Sequence, residues 1–247
     1  MPRYKLLLEY DGTPFRGWQR QATGPSVQSV LEDALLAATG ETLTVVAAGR
    51  TDAGVHALGQ VAHVDLGRYW PPERLMGALN HHLRPHPVVV LQAARVADDF
   101  HARFSATRRR YVYRILNRRT PPALERDRVW HVPVPLLCER MHEAAQCLVG
   151  RHDFTSFRSS ECQSASPVKT LSLIHAQRVD ELIEIRFTAR SFLHHQVRNI
   201  VGTLKLVGEG KASIDHVRAV LAARDRAAAG PTAPPQGLFL ESVAYEG

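Results

Sequence analysis

The sequence predicts an α+β protein made of two structurally related halves, each with a mixed, mostly antiparallel sheet flanked by helices. Three observations carry this. Short apolar runs of strand length alternate with amphipathic stretches at helical spacing from one end of the chain to the other. They do so without the strict strand–helix–strand alternation of a doubly wound parallel sheet. The second half also passes through a series of elements similar to the first, although no residue-level repeat links them. The boundary is placed at residues 104 and 105, giving an N-terminal domain over 1–104 and a C-terminal domain over 105–247.

In the first half, Lys5–Tyr10 is an apolar run closed by the turn pair Asp11-Gly12. Ser26 is placed to cap a helix in which Val27, Val30, Leu31, Ala34 and Leu35 recur at helical spacing, with Gly40 where a C-terminal cap belongs. Leu43–Ala48 and Gln60–Leu66 read as strands joined through Gly49-Arg50-Thr51-Asp52-Ala53-Gly54. Pro71-Pro72 opens a second helix, with Leu75, Met76, Leu79 and Leu83 inward, and Pro87–Val96 is the next strand. In the second half, Tyr111–Leu116 is a strand and Leu136–Leu148 a helix. Thr170–Val179 and Leu182–Thr188 are neighbouring antiparallel strands turning at Asp180-Glu181. Leu193, Val197, Ile200, Val201 and Leu204 mark a further helix, Ser213 caps a last one reaching Ala223, residues 226–236 form a loop, and Gly237–Tyr245 closes the chain as a strand.

With 247 residues, 45% of them hydrophobic and 22% charged, the chain can bury a real core, and collagen-like, disordered and disulfide-framework classes are excluded. No apolar run is long enough to span a bilayer, and the N-terminus shows no signal peptide, so a cytoplasmic location is expected. Cys138, Cys147 and Cys162 form no Cys-x-x-Cys pair and are expected as free thiols. The formal charge is +7, and residues 103–128 alone carry nine arginines against Glu125 and Asp127. Phe104, Tyr111 and Tyr113 lie within that basic segment, a pattern that favours a nucleic-acid partner.

Three segments could carry chemistry. GRTDAGVHALGQVAHVD (49–65) puts Asp52 in a tight loop between two strands, with Arg50 two positions before it. Such a carboxylate either caps its own turn or serves as a reactive group displayed on a rigid scaffold. In RRRYVY (108–113), Tyr111 and Tyr113 share one face of a strand. One of them could stack on a base, or the strand could be an exposed edge with solvated arginines. In SFLHHQVRNIVGTL (191–204), Arg198 lies beside the apolar stripe of a helix, and a charge there needs a partner or snorkels outward. Gly202 costs a helix about 1 kcal/mol relative to Ala, which suggests a close backbone approach. The 13 histidines include the pairs 81–82 and 194–195 but form no zinc signature, so no metal is expected. Adjacent histidines on a helix would not face each other, and His56 is read as structural.

Taken together, these segments resemble the tRNA pseudouridine synthase A family. GRTDAGVHA-x-GQV resembles its catalytic motif, RRYxY its tyrosine motif and FLHHQVRNIVG its third motif. Further similarity lies in YDGTPFRGWQRQ (10–21), SVQSVLEDAL (26–35), FHARFSAT (100–107), GRHDFTSF (150–157), ECQSASP (161–167) and APPQGLFLESVAY (233–245), in family order over almost the whole chain. Gln196, Lys169 and Arg190 depart from the family's usual residues. The resemblance implies an active-site cleft between the halves and isomerisation of uridine to pseudouridine at positions 38, 39 and 40 of the tRNA anticodon stem-loop. It implies no cofactor, since no redox change occurs, and a homodimer with tRNA as partner.

By the same resemblance Asp52 is the catalytic aspartate, attacking C1′ or C6 or removing a sugar proton. Arg198 is its fixed cation, Tyr111 stacks on the flipped base, and Arg50 fills the gap the base leaves or grips a phosphate. Most other arginines of 103–128 would hold the RNA backbone, positioning it without reading sequence. A non-catalytic structured-RNA-binding module or tRNA chaperone is the alternative from another class. A carboxylate glycosidase is disfavoured because no second acid accompanies Asp52 within 49–64.

Overall fold

In the computed structural model, which describes residues 1–246, the chain has ten strands and five α-helices among the described residues. They form two compact units. The first comprises Met1–Thr107 together with the chain from Phe239 onward, and the second comprises Arg108–Leu238. Both are mixed, mostly antiparallel sheets accompanied by helices, which is the α+β class expected.

The first unit contains β1 (Arg3–Tyr10), α1 (Val27–Thr39), β2 (Val46–Ala47), β3 (His56–Asp65), α2 (Pro72–His82), β4 (Val88–Val96) and, from the other end of the sequence, β10 (Leu238–Tyr245). β1 is flanked by β4 and β3, both antiparallel. The far side of β3 is shared: β2 pairs with it at Ala62 and His63, and β10 runs parallel to it at His56 and Ala57. Alternation along β1 buries Tyr4, Leu6, Leu8 and Tyr10 on one face. The Tyr4 hydroxyl ties down the approach to α2, donating to Trp70 O at 2.7 Å and accepting from Trp70 N at 2.8 Å. On the opposite face Leu7, Phe100, Val243 and Tyr245 pack around buried Ala48, Val61 and Ala102. α1 starts at a reciprocal cap between Ser26 and Ser29, and it ends at Gly40 in the left-handed region (φ 76°).

The expected strand over Leu43–Ala48 shrinks to β2. The backbone of Val45 is taken by α1: its N–H donates to Glu32 Oε1 (3.1 Å) and its carbonyl accepts from Gln28 Nε2 (3.3 Å). Side chains from the helix thus replace the ladder that a longer strand would need.

The second unit contains β5 (Ala106–Leu116, entering the unit at Arg108), β6 (Trp130–His131), α3 (Cys138–Ala145), β7 (Gly150–Asp153), β8 (Val168–Val179), β9 (Leu182–Ala189), α4 (Gln196–Gly208) and α5 (Asp215–Ala223). Its sheet runs in the order β5-β9-β8-β7, antiparallel throughout, with β6 parallel on β5. α3 packs on β8, α4 and α5. α4 is buried almost all round, the pattern of a helix inside a core.

Three helix starts differ from expectation for identifiable reasons. α3 begins at Cys138 because Leu137 is extended (φ −89°, ψ 93°), a conformation fixed as the N–H groups of Leu136 and Leu137 donate to Asn117 Oδ1 (3.1 Å) and Gly208 O (2.9 Å). α4 begins at Gln196 because His195 is left-handed (φ 61°) and Gln196 Oε1 turns back to accept from Leu193 N at 2.8 Å. α5 begins at Asp215, and Ser213 contributes only its backbone carbonyl, to His216 N, rather than a side-chain cap. The loop 226–236 contains a turn of 3₁₀ helix at Arg226–Ala228.

Burial of His63 in the first unit, reinforced by the charge of Arg3, lowers its pKa from 6.5 to about 4, and its Nδ1 accepts from Ala102 N at 3.1 Å. Between those two values the unfolded chain binds a proton that the folded chain does not, so stability falls as pH drops from about 6.5 toward about 4. The loss is on the order of 2–3 kcal/mol. Urea unfolding across that range should show a pH slope that His63→Gln reduces by up to one proton; equal slopes for both proteins would contradict the assignment.

Candidate active site

Asp52 lies in the hairpin loop 48–55 between β2 and β3. Its neighbour Thr51 is fixed from both ends. The Thr51 side chain hydrogen bonds to the Tyr10 hydroxyl at 2.8 Å, inside the core, and Thr51 O accepts from Trp18 N at 3.0 Å. A third tie closes the loop's entrance, where Gln60 Nε2 donates to Gly49 O at 2.7 Å. Gly17 passes so close that a Cβ there would sit 2.6 Å from Thr51 O, and its φ of +96° also favours glycine. Burial pushes the Tyr10 phenol up to about 12, so it remains a neutral hydrogen-bonding group at any physiological pH. Asp52 itself is half-buried and Arg50 is exposed.

His56, at the start of β3, is 1% exposed. Its Nδ1 accepts from Gly12 N at 3.0 Å and its ring stacks on Phe239 at 4.6 Å, which makes it part of the loop's foundation.

Sequence reasoning missed Tyr10, Trp18 and Gln60 as supports of this loop. Their only signal was their presence in the YDGTPFRGWQRQ and GQV segments, with no spacing rule to connect them to Asp52.

In the second unit, β5 is not a solvated strand: Tyr111, Val112 and Tyr113 are all buried, and β9 pairs along it from Arg109 to Leu116. The two tyrosines separate by role. Tyr113 is wholly buried, burial holds its phenol well above the usual range, and its hydroxyl donates to Pro234 O at 2.8 Å. Tyr111 is 9% exposed and meets Phe192 edge-on at 5.1 Å. Phe192 belongs to the segment that leads into α4, the helix carrying Arg198. Asp52 and Arg50 belong to the first unit, Tyr111 and Arg198 to the second.

Arg198 does not simply snorkel to solvent. It is half-buried, and its Nε donates to Ala233 O at 2.8 Å, while Ala233 N donates back to the Arg198 carbonyl at 3.1 Å. The segment 230–234 that supplies these contacts is itself locked onto α4. Arg226 Nη2 donates to Asn199 Oδ1 (3.1 Å) and Thr232 Oγ1 (3.0 Å), and its Nη1 donates to Gly230 O (3.1 Å). Thr232 Oγ1 donates to Asn199 Oδ1 at 2.7 Å, and Gly230 N donates to Thr203 Oγ1 at 2.9 Å. The close approach suspected at Gly202 is real: a Cβ there would lie 1.7 Å from Pro231 O. A loop remote in sequence therefore aims the guanidinium of Arg198.

The structure corrects the placement of the paired histidines and gives three arginines of 103–128 partners inside the protein. Arg109 is 8% exposed and donates to the carbonyl of Arg190, Arg114 pairs with Glu184 (3.3 Å), and Arg118 pairs with Glu181 (2.9 Å). Strand register accounts for two of these, since β5 and its exit run beside the acidic end of β9. His194 and His195 precede α4 rather than lying on it, and the left-handed turn at His195 brings their rings to 4.0 Å.

Comparison with known proteins gives one consistent answer. A family described as tRNA pseudouridine synthase matches residues 7–105 and 144–246. A curated protein of Rhodospirillum centenum, "tRNA pseudouridine synthase A", is 62% identical over 245 residues, covering 99% of this chain and all of its own length. Proteins of the same name from Paramagnetospirillum magneticum and Caulobacter sp. are 60% and 57% identical, each over at least 99% of this chain and at least 96% of their own.

Gly→Ala inside a helix normally stabilises by about 1 kcal/mol. At Gly202 the sign should reverse, because the new methyl group collides with backbone at Pro231. Thermal melting of Gly202→Ala should fall by several degrees; an unchanged or higher midpoint would contradict the locked-segment reading.

Proposed function

The chain belongs to the tRNA pseudouridine synthase family, and from that premise we propose how its residues isomerise uridine to pseudouridine within tRNA. The proposed targets are nucleotides 38, 39 and 40 of the anticodon stem-loop. The N1–C1′ bond breaks, the uracil turns, and C5 bonds to C1′. The proton leaves C5 and N1 is protonated, so atoms are conserved and no redox equivalent is consumed.

Asp52 is the proposed reacting carboxylate. An aspartate with an ordinary pKa of about 3.9 is ionised at neutral pH. The observation that carries this assignment is the loop's rigidity: Thr51 is held through both its side chain and its carbonyl, so the half-buried Asp52 that follows has little freedom to turn away. Arg198 is the proposed fixed cation. Two unit charges about 4 Å apart attract by about 4 kcal/mol at an effective dielectric of 20, enough to favour the ionised carboxylate beside a desolvated base.

Flipping the target uridine out of its stem costs a few kcal/mol, and stacking on one aromatic returns roughly 1–3 kcal/mol. Tyr111, braced by Phe192, is the proposed platform, with its hydroxyl assisting proton loss from C5. Exposed Arg50 is assigned to the space the base vacates or to the adjacent phosphate. The same reading gives a cofactor-free homodimer in the cytoplasm, resting on the family alone. No helix among the described residues is long and apolar enough to cross a membrane.

Asp52→Asn tests the assignment. With tRNA carrying tritium at C5 of uridine, the variant should still bind tRNA within about threefold of wild type while tritium release falls by at least 10³-fold. Release at a rate near that of wild type would remove Asp52 from the chemistry.

A further inference from the structure

Among the arginines expected to grip RNA, several are already engaged with carboxylates or carbonyls inside the protein. Another basic surface is not. At the β7–β8 edge of the second unit, a pocket of about 270 Å³ is lined by Arg151 on β7, Lys169 and Thr170 on β8, Arg190 and Ser191 in the segment after β9, and Ser166. The antiparallel register sets Arg151 directly opposite Thr170, so both project on one face, while Lys169, opposite His152, leaves β8 on the other face and lines the pocket at the sheet's edge. Three cationic residues from three separate stretches of chain line this pocket. Among the described residues none of them is in an ion pair, and no carboxylate lines the pocket. Lys169 Nζ donates only to the Ser164 hydroxyl, at 3.2 Å. Folding places like charges together without neutralising them, which costs stability unless an anion is gathered there. The hydroxyls of Ser166, Thr170 and Ser191 add donors suited to phosphate oxygens.

We infer that this pocket binds a backbone phosphate of the RNA substrate, a contact outside the reacting residues; the inference rests on tRNA being that substrate. Arg151, Arg190, Ser191, Ser166 and Thr170 are exposed, so the pocket is shallow, and it is smaller than the usual cavity for an enclosed organic ligand. A strand of a long polyanion can cross such a surface, with one phosphate seated among the three cations.

The test measures tRNA affinity as a function of salt for wild type, for Arg151→Gln/Lys169→Gln/Arg190→Gln, and for a control that removes three exposed charges elsewhere, Arg74→Gln/Arg95→Gln/Arg218→Gln. Loss of one phosphate contact should lower the slope of log K against log salt by about 0.7–0.9. The pocket variant should therefore show a slope smaller by about 1 and an affinity weaker by about tenfold, with the single-turnover rate at saturating tRNA within twofold of wild type. The control should keep the wild-type slope. An unchanged slope in the pocket variant, or an equal loss in the control, would overturn the inference. Failure of wild type to form pseudouridine would instead overturn the functional reading, and the slopes would still decide whether RNA occupies the pocket.

Discussion

The constraint on which the first unit's design depends is the immobility of Thr51. Its hydroxyl meets the Tyr10 phenol in the core, and its carbonyl receives the Trp18 N–H. A hairpin loop is ordinarily among the more mobile parts of a sheet. Here two hydrogen bonds from different segments, a close glycine approach and the Gln60 contact at Gly49 remove that freedom one position before the carboxylate. The price is a phenol, a hydroxyl and an amide inside an apolar core, where each needs a partner. The Gln60 carbonyl oxygen is left without one.

The second unit solves the matching problem for Arg198 by other means. A guanidinium on a nearly fully buried helix would be poorly tolerated without partners. The segment 230–234 supplies them, and two glycines, Gly202 and Gly230, allow helix and segment to approach at backbone distance. Arg226 then ties the segment to Asn199 and Thr232. Tyr113 adds an anchor at Pro234. Each unit thus fixes its own candidate residue with contacts drawn from remote parts of the sequence, and neither relies on helix or strand propensity alone.

That reliance on remote contacts explains what was legible in the sequence. The helices α1 and α2 could be read because their caps are local: Ser26, Gly40 and Pro72 act within a turn of themselves. Asp52, Tyr111 and Arg198 stood out as candidates because loop, strand and helix patterns each made an unusual demand at those positions. The reason for Gly202 was also visible, as an unexplained helix defect. The start of α4 was not, since it depends on the Gln196 side chain turning back to Leu193. The shortening of β2 was hidden because it depends on Glu32 and Gln28 reaching across from α1. The internal partners within the run of arginines in 103–128 were hidden for a related reason. Charge counted along the chain says nothing of which carboxylates strand pairing will bring beside it, and Glu184 and Glu181 arrive from far along the sequence.

The most direct test of the account is the rate of a single turnover by Tyr10→Phe, measured beside its affinity for tRNA. The substitution removes one hydroxyl and leaves the Thr51 side chain without that partner, while Asp52 and all RNA-facing charges stay in place. The account predicts at least a tenfold slower reaction, about 1.4 kcal/mol in the barrier, with affinity within twofold of wild type. A reaction at the wild-type rate would show that the loop holds Asp52 in place without this clamp.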